Sequence, residues 1–408
     1  MDRTVQTGHQ PTRETGFAED AVALLRGLVE AESINPPGDT TGPVSVMSAW
    51  LDKAGLSHEV LAADPTKPNI VATLDNGSGP HLVFNAHLDT VAPGDLAAWA
   101  HPPLQLSEKD GKLYGLGTGN MKASAAALAI AYGRLAARRQ QWAGRLTLTL
   151  VADECVFGPD GAAHLLDTRP DLVGDMLICG EGPGAMNLAV AEKGLLWIRL
   201  TATGPVGQGM LAEHRGTATA RLAEALCRID AWNRRVVPCP LPELDNADNA
   251  AGMRMTVNIG RIGGGTYFSH AASQAWAEID FRIPPGLTLE DMARDLDELC
   301  AADHLSWETV KGWNPNWSQP RSDVAAAVSG AAASVRGKAP ALVTRLPASD
   351  ASRWRARGVP AVCFGAQPEL ASGVDDYVHR SDFLDCCDIY TGAALHLLAR
   401  PAAAQTAE

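Results

Sequence analysis

The stretch Phe84-Asn85-Ala86-His87-Leu88-Asp89-Thr90-Val91 decides the reading of this chain. A mostly apolar run, Leu82–Ala86, leads into a histidine and, two residues later, an aspartate. Residues i and i+2 of a strand share a face, so His87 and Asp89 are expected to emerge together at a strand's carboxyl end. Open α/β sheets place their ligands at that rim. A carboxylate beside a histidine is how proteins orient a metal-binding imidazole. A buried, hydrogen-bonded His–Asp pair with only a structural role is the ordinary alternative.

The same pattern recurs outward from this stretch. Leu146–Ala152 runs into Asp153-Glu154-Cys155, and Met176–Cys179 runs into Gly180-Glu181-Gly182. Between them, Met121–Arg139 reads as an Ala-rich helix with Asn120 at its N-cap position. From His81 to Cys179 the elements alternate β, α, β, α, β, which predicts a parallel sheet covered on both faces. In such a sheet His87, Glu154, Cys155 and Glu181 converge on one rim. Imidazole, thiolate and carboxylates gathered in one place are most simply explained by a metal. Each acid alone reads equally well as the N-cap of a following helix.

On the N-terminal side, helices are expected at Phe17–Ser33 and Gly42–Ala54, around the breaker Asn35-Pro36-Pro37-Gly38, followed by a strand at Pro68–Leu74. The character changes near Glu192-Lys193-Gly194. Strands at Leu195–Thr203, Met253–Ile262 and Ala275–Arg282, with helices at Thr217–Asn233 and Leu289–Leu299, suggest a βαββαβ-type insertion. A helix at Asp323–Val335, a strand at Val359–Phe364 and a helix at Leu384–Ala399 return to the α/β style. The predicted fold is therefore α/β: a mainly parallel-sheet domain formed by residues 1–193 and 311–408, with an inserted α+β domain at 194–310. The tails Met1–Gly16 and Arg400–Glu408 read as disordered.

The net charge is −13 over 408 residues and the pI is near 5.3. No basic excess exists to neutralise phosphates or an anionic membrane surface, so no nucleic-acid or membrane partner is expected. The eight cysteines are scattered without a CxxC pair, which disfavours a zinc ribbon and fits a reduced, cytoplasmic protein. The N-terminus lacks the apolar core of a signal peptide.

The order of motifs resembles the family of acetylornithine deacetylases, succinyl-diaminopimelate desuccinylases and glutamate carboxypeptidases. The resemblance covers nearly all of residues 17–400. Its elements are Ser33-Ile-Asn-Pro-Pro-Gly38, His87-Leu-Asp89, Gly115-Leu-Gly-Thr-Gly-Asn-Met-Lys122, Asp153-Glu154-Cys155-Val-Phe-Gly158, Gly180-Glu181, Glu192-Lys-Gly194, Asp280-Phe-Arg282, Ser349-Asp350-Ala351 and Val378-His379. It implies a di-zinc amidohydrolase with a catalytic α/β domain and an inserted lid through which two copies dimerise. By the same resemblance, His87 and Glu181 ligate one metal, Asp89 orients His87, and His379 ligates the other metal. Glu154 is then the general base that moves a proton from water to the leaving amine.

Three positions at the chemistry depart from the family pattern. The bridging aspartate falls on Asn120, the second acid of the Asp-Glu-Glu run on Cys155, and the lid histidine that polarises the scissile carbonyl on Gln208. The acid that usually follows the last histidine by four residues is Phe383. Cys155 can still ligate zinc, and Gln208 can still donate a hydrogen bond to an oxyanion. Asn120 is a poor bridge between two dications, so one or two zinc ions per chain are expected, with dinuclear binding weakened. Arg282 and Arg353 are candidates for gripping a substrate carboxylate, and salt bridging is their ordinary alternative. His214 and His270, in the insertion, could replace the missing histidine, with a plain surface role as the alternative.

Two functional expectations follow. One is a metal-dependent amidohydrolase, a deacylase or exopeptidase, acting on an amino-acid-like or small peptide substrate. The other keeps the scaffold but changes the site, giving acyl or amide transfer through Cys155 or binding alone.

Overall fold

The computed structural model describes residues 16–301, 304–368 and 373–400. The predicted tails lie outside the described residues, Gly16 and Arg400 apart. Among the described residues, nine strands form one large sheet. Its centre is parallel: Gly144–Val151, His81–His87, Met176–Cys179 and Ala361–Cys363 lie side by side in that order. Asn69–Asn76 and Glu59–Leu61 extend one side antiparallel. On the other side Leu188–Glu192 pairs antiparallel with Ala361–Cys363 and Asn316–Trp317 and parallel with Leu342–Arg345. The sheet is thus mixed, with the predicted parallel arrangement confined to the strands that end in the candidate residues.

The central strands are buried along nearly their whole length because helices cover both faces. Helix Ala123–Ala136 lies on one face with Arg380–Leu397 against it, and eleven of its fourteen residues are buried. Its run of alanines lets the helix and sheet approach closely, which a row of larger side chains would prevent. The helix starts at Ala123 rather than Met121, and Asn120 makes no cap hydrogen bond. The predicted N-cap role of Asn120 is therefore not what the structure shows. On the other face, helices Ala162–Thr168 and Ala351–Arg355 pack over the sheet, and the Trp354 ring is fully buried there.

A separate four-stranded antiparallel sheet runs in the order Thr256–Gly264, Gln274–Ile283, Gly194–Thr203, Leu305–Trp313. Helices Ala218–Asp230 and Leu289–Cys300 cover one face, and burial alternates along Gln274–Ile283 as expected for a sheet wet on its other side. The last strand runs to Trp313, past the predicted boundary at 310. Short turns at Pro242–Leu244, Ala247–Asn249 and Ala250–Met253 fold back onto strand Leu342–Arg345 of the large sheet. There Asn249 Oδ1 accepts the Thr344 N–H at 2.6 Å.

Candidate metal centre and active site

Strand His81–His87 delivers His87 to the carboxyl rim of the sheet, 1% exposed. The strand stops there, so Asp89 reaches the site from the loop beyond it. His87 Nδ1 lies 2.9 Å from the Asp89 carbonyl and 3.4 Å from its Oδ1. Asp89 also accepts from Asn35 Nδ2 at 2.8 Å and from the backbone N–H of Glu154 and Cys155 at 3.2 and 3.0 Å. The aspartate therefore ties three chain segments together as well as orienting the imidazole.

The neighbouring strand Gly144–Val151 feeds the turn Asp153-Glu154-Cys155. Asp153 adopts a left-handed φ of 61°, uncommon for a residue with a side chain. It is held there by Lys67 Nζ at 2.8 Å and Asn35 Nδ2 at 3.2 Å. Helix Ala162–Thr168 begins eight residues after Glu154 and is preceded by Gly161 without a side-chain cap, so Glu154 is not an N-cap. Its Oε2 lies 3.6 Å from His87 Nε2.

Asn120 closes another side. Its Oδ1 lies 3.2 Å from His87 Nε2, and its backbone is extended within the turn Thr118–Lys122. The glycine loop before it is held by Asp376, whose carboxylate accepts from Gly117 N at 2.8 Å and Gly119 N at 3.3 Å. The segment that carries His379 also supplies this Asp376. His379 ends strand Tyr377–His379, pairs with Lys112 and packs edge-on against Tyr377 at 5.4 Å. It belongs to neither group of metal-capable side chains. The strand carries His379 into a small side sheet, three residues beyond Asp376.

Glu181 follows strand Met176–Cys179 and is 2% exposed. Its Oε1 accepts from Arg345 Nη2, and its Oε2 has no partner among the described residues. Gly365 passes so close that a Cβ there would lie 2.0 Å from the Gly180 carbonyl, so only glycine fits at this crossing. Asp350, also buried, pairs with Arg353 Nε at 3.2 Å. Arg353 donates to the Gly158 carbonyl at 2.9 Å and lies 4.0 Å over the Phe157 ring. Its donors pin the loop after Cys155, as the salt-bridging alternative expects. Arg345 was missed as a site residue, and Asp350 entered only within the motif Ser349-Asp350-Ala351, without a role. Arg345 carries the signal that marks His87, a charged residue ending an apolar run.

Electrostatics follow from this crowding. Burial pushes His87 down, but the charge of Glu154, the bond to Asp89 and the charges of Asp89 and Glu181 outweigh it and hold the imidazole up to about 10. Burial pushes Asp89 up, yet His87, Asn35 and the Cys155 N–H bring it down to about 2. Glu154 is raised well above the usual carboxylate range by burial and then by Glu181. Burial, with Asp89, Glu154 and Glu181, also pushes the Cys155 thiol well up. A thiol so placed is a weak nucleophile, which argues against group transfer through Cys155.

Two sets of ligand atoms lie within 4.8 Å of one another: His87, Asp89 and Cys155, and His87, Glu154 and Glu181. Residues 83–396 match the model of peptidase family M20/M25/M40. The chain belongs to this family. A probable succinyl-diaminopimelate desuccinylase of Staphylococcus aureus is 27% identical over 413 residues, covering 94% of this chain and 99% of that protein. Aminoacylase-1 of Sus scrofa is 27% identical over 406 residues, covering 94% and 96%. In structure, the M20 family metallo-carboxypeptidase Sso-CP2 of Sulfolobus solfataricus superposes with a TM-score of 0.73 at 15% identity, covering 93% of this chain and 99% of that one.

The insertion of this M20 chain holds the remaining predicted residues. Gln208 is exposed and pairs in register with His270 in a two-stranded ladder. Neither lies in the metal-capable groups. Arg282 Nε bonds Asp280 at 3.1 Å on its own strand. Buried Lys193 donates to the Arg254 carbonyl at 2.7 Å. Burial, with the charges of Arg254 and Arg282, brings Lys193 down to about 8. A group of cations thus gathers at the base of the insertion.

The donor chemistry fits one divalent cation on His87 with Glu181 or with Cys155, and the partnerless Glu181 Oε2 is an available ligand atom. It does not fit two. Dications about 4 Å apart repel by on the order of 15 kcal/mol at an effective dielectric near 20. Asn120 adds no negative charge against that repulsion.

Proposed function

We propose that this M20 protein is a metal-dependent amidohydrolase, a deacylase or exopeptidase cleaving an amide of a small amino-acid-like or peptide substrate. One observation carries the reading: a buried carboxylate, Glu154, stands 3.6 Å from the metal-capable nitrogen of His87 and is itself raised, ready to hold a proton. Zinc suits the histidine, carboxylate and thiolate donors. Its chemistry when bound is polarisation of the amide carbonyl and a lowered pKa for water. Glu154 takes the proton from the attacking water and returns it to the leaving amine. Asp89 fixes the His87 ring, and Asn35 and Lys67 fix the turn that carries Glu154. The cations at Arg282, Arg254 and Lys193 suit the carboxylate of an amino-acid-like substrate.

Val206, Met210, Leu211, Tyr267 and Phe268 stand exposed on the insertion, which supports a homodimer formed through it. That surface is also where Gln208 would act on a partner's substrate. The eight free cysteines support a cytoplasmic location. No helix among the described residues is long and apolar enough to cross a membrane.

The test is turnover on N-acyl amino acids and dipeptides. Glu154→Gln is expected to lower kcat by about 10²–10⁴ while metal content stays unchanged. Chelation is expected to abolish activity and zinc to restore it. Full activity after both the substitution and chelation would overturn the reading.

A further inference from the structure

Arg345 is a buried cation at the site that the proposed hydrolysis leaves unused. It ends strand Leu342–Arg345, and its side chain is 2% exposed. Nη1 donates to the Pro347 carbonyl at 3.2 Å and to the Ala348 carbonyl, while Nη2 donates to Glu181. Nε has no partner among the described residues. Arginine keeps its charge under all ordinary conditions, so the guanidinium is a permanent cation. Two backbone carbonyls and a buried carboxylate hold it in place.

A second buried pair shows what is special here. Arg355 meets Glu192 at 3.1 Å, and Ser349 shares that carboxylate. Glu192 lies in neither metal-capable group, so this pair is structural. Glu181 differs because it also stands with His87 and Glu154. Its two oxygens are divided, one on Arg345 and one open. A buried carboxylate needs a compensating charge, and at Glu181 a side chain already supplies it.

We propose that Arg345 supplies the fixed positive charge that leaves the cleft needing only one metal ion. The guanidinium neutralises and positions Glu181, so that the cleft takes up one divalent cation per chain, on His87 and the open Glu181 oxygen. The inference rests on the metal-hydrolase reading and adds the stoichiometry and its cause. Asn120 belongs to the same arrangement: with one cation to hold, a bridging charge is unnecessary, and a neutral amide beside His87 suffices. Arg345 acts through Glu181 and is a positioning residue.

The probe is Co2+ added to metal-free full-length protein, followed by calorimetry and visible absorption, which need no turnover. The parent, Arg345→Lys and Asn120→Asp proteins are each expected to bind one equivalent. The double variant Asn120→Asp/Arg345→Met is expected to bind two, and its thermal midpoint to depend on added metal. Two equivalents in the parent, or in Asn120→Asp with Arg345 intact, would overturn the role of Arg345 and leave the hydrolase reading standing. One equivalent in a folded double variant would do the same. No cation bound by the parent would defeat both readings. Should the double variant fail to fold, the Asn120→Asp count decides alone: one supports the inference and two overturns it.

Discussion

Asp89 shows how much one side chain organises. It accepts from Asn35, Glu154 and Cys155 while facing His87. Asp89→Asn keeps the shape but loses the charge, and its amide nitrogen meets backbone donors. Metal affinity is expected to fall about 10–100-fold, measured by competition with a chelator on protein whose circular dichroism is unchanged. Residues of this kind were legible in the sequence because each follows an apolar strand run: His87 after Leu82–Ala86, Glu154 after Leu146–Ala152, Glu181 after Met176–Cys179. Asn120, expected near the metal, stands beside His87 but does not cap the helix. A motif preserves order along the chain but not distance, and nothing in Tyr377-Val378-His379 reveals that Asp376 holds the glycine loop. Arg345 escaped notice because a lone arginine after a strand reads as surface charge until its burial is known.

At the scale of the element, the glycine loop before Asn120 depends on Asp376. Burial pushes this carboxyl up to about 7, against the N–H groups of Gly117, Gly119 and Tyr377. In the unfolded chain the group titrates near 3.8. Between these values the folded protein keeps a proton that the unfolded chain has lost. The group's favourable contribution is complete below about pH 4 and is lost as pH rises through about 7. Asp376→Asn removes this dependence. The thermal midpoint of the variant relative to the parent is expected to rise between pH 5 and pH 8, and a difference that stays constant would count against the assignment. The helix that follows was legible as Ala-rich and buried, but its start was misplaced by the irregular turn Thr118–Lys122, whose conformation local propensity does not encode.

For the whole molecule, the alternation of strands and helices from His81 to Cys179 gave the parallel centre correctly. The antiparallel flanks depend on pairings between distant segments, which periodicity cannot reveal. The insertion was legible from its change to half-exposed strands. The turns at 242–253 that fold back onto Leu342–Arg345 were not, since they have no periodic pattern. Assembly is the prediction proper to this scale. Phe268 is 90% exposed and Met210 84%, and replacing both with aspartate is expected to convert a dimer to a monomer in sedimentation while metal content is kept. Equal sedimentation of parent and variant would place the interface elsewhere.

Leu195 and Trp313 are register partners, so the chain enters and leaves the inserted sheet through a narrow neck, and a short splice there would look harmless. The fold-back turns argue otherwise. Asn249, which belongs to the insertion by sequence, clasps Thr344, the residue just before Arg345. Trimming at the neck would unclip the strand that presents the buried guanidinium, so the insertion is not a detachable accessory but part of the scaffold that sets the charge of the cleft.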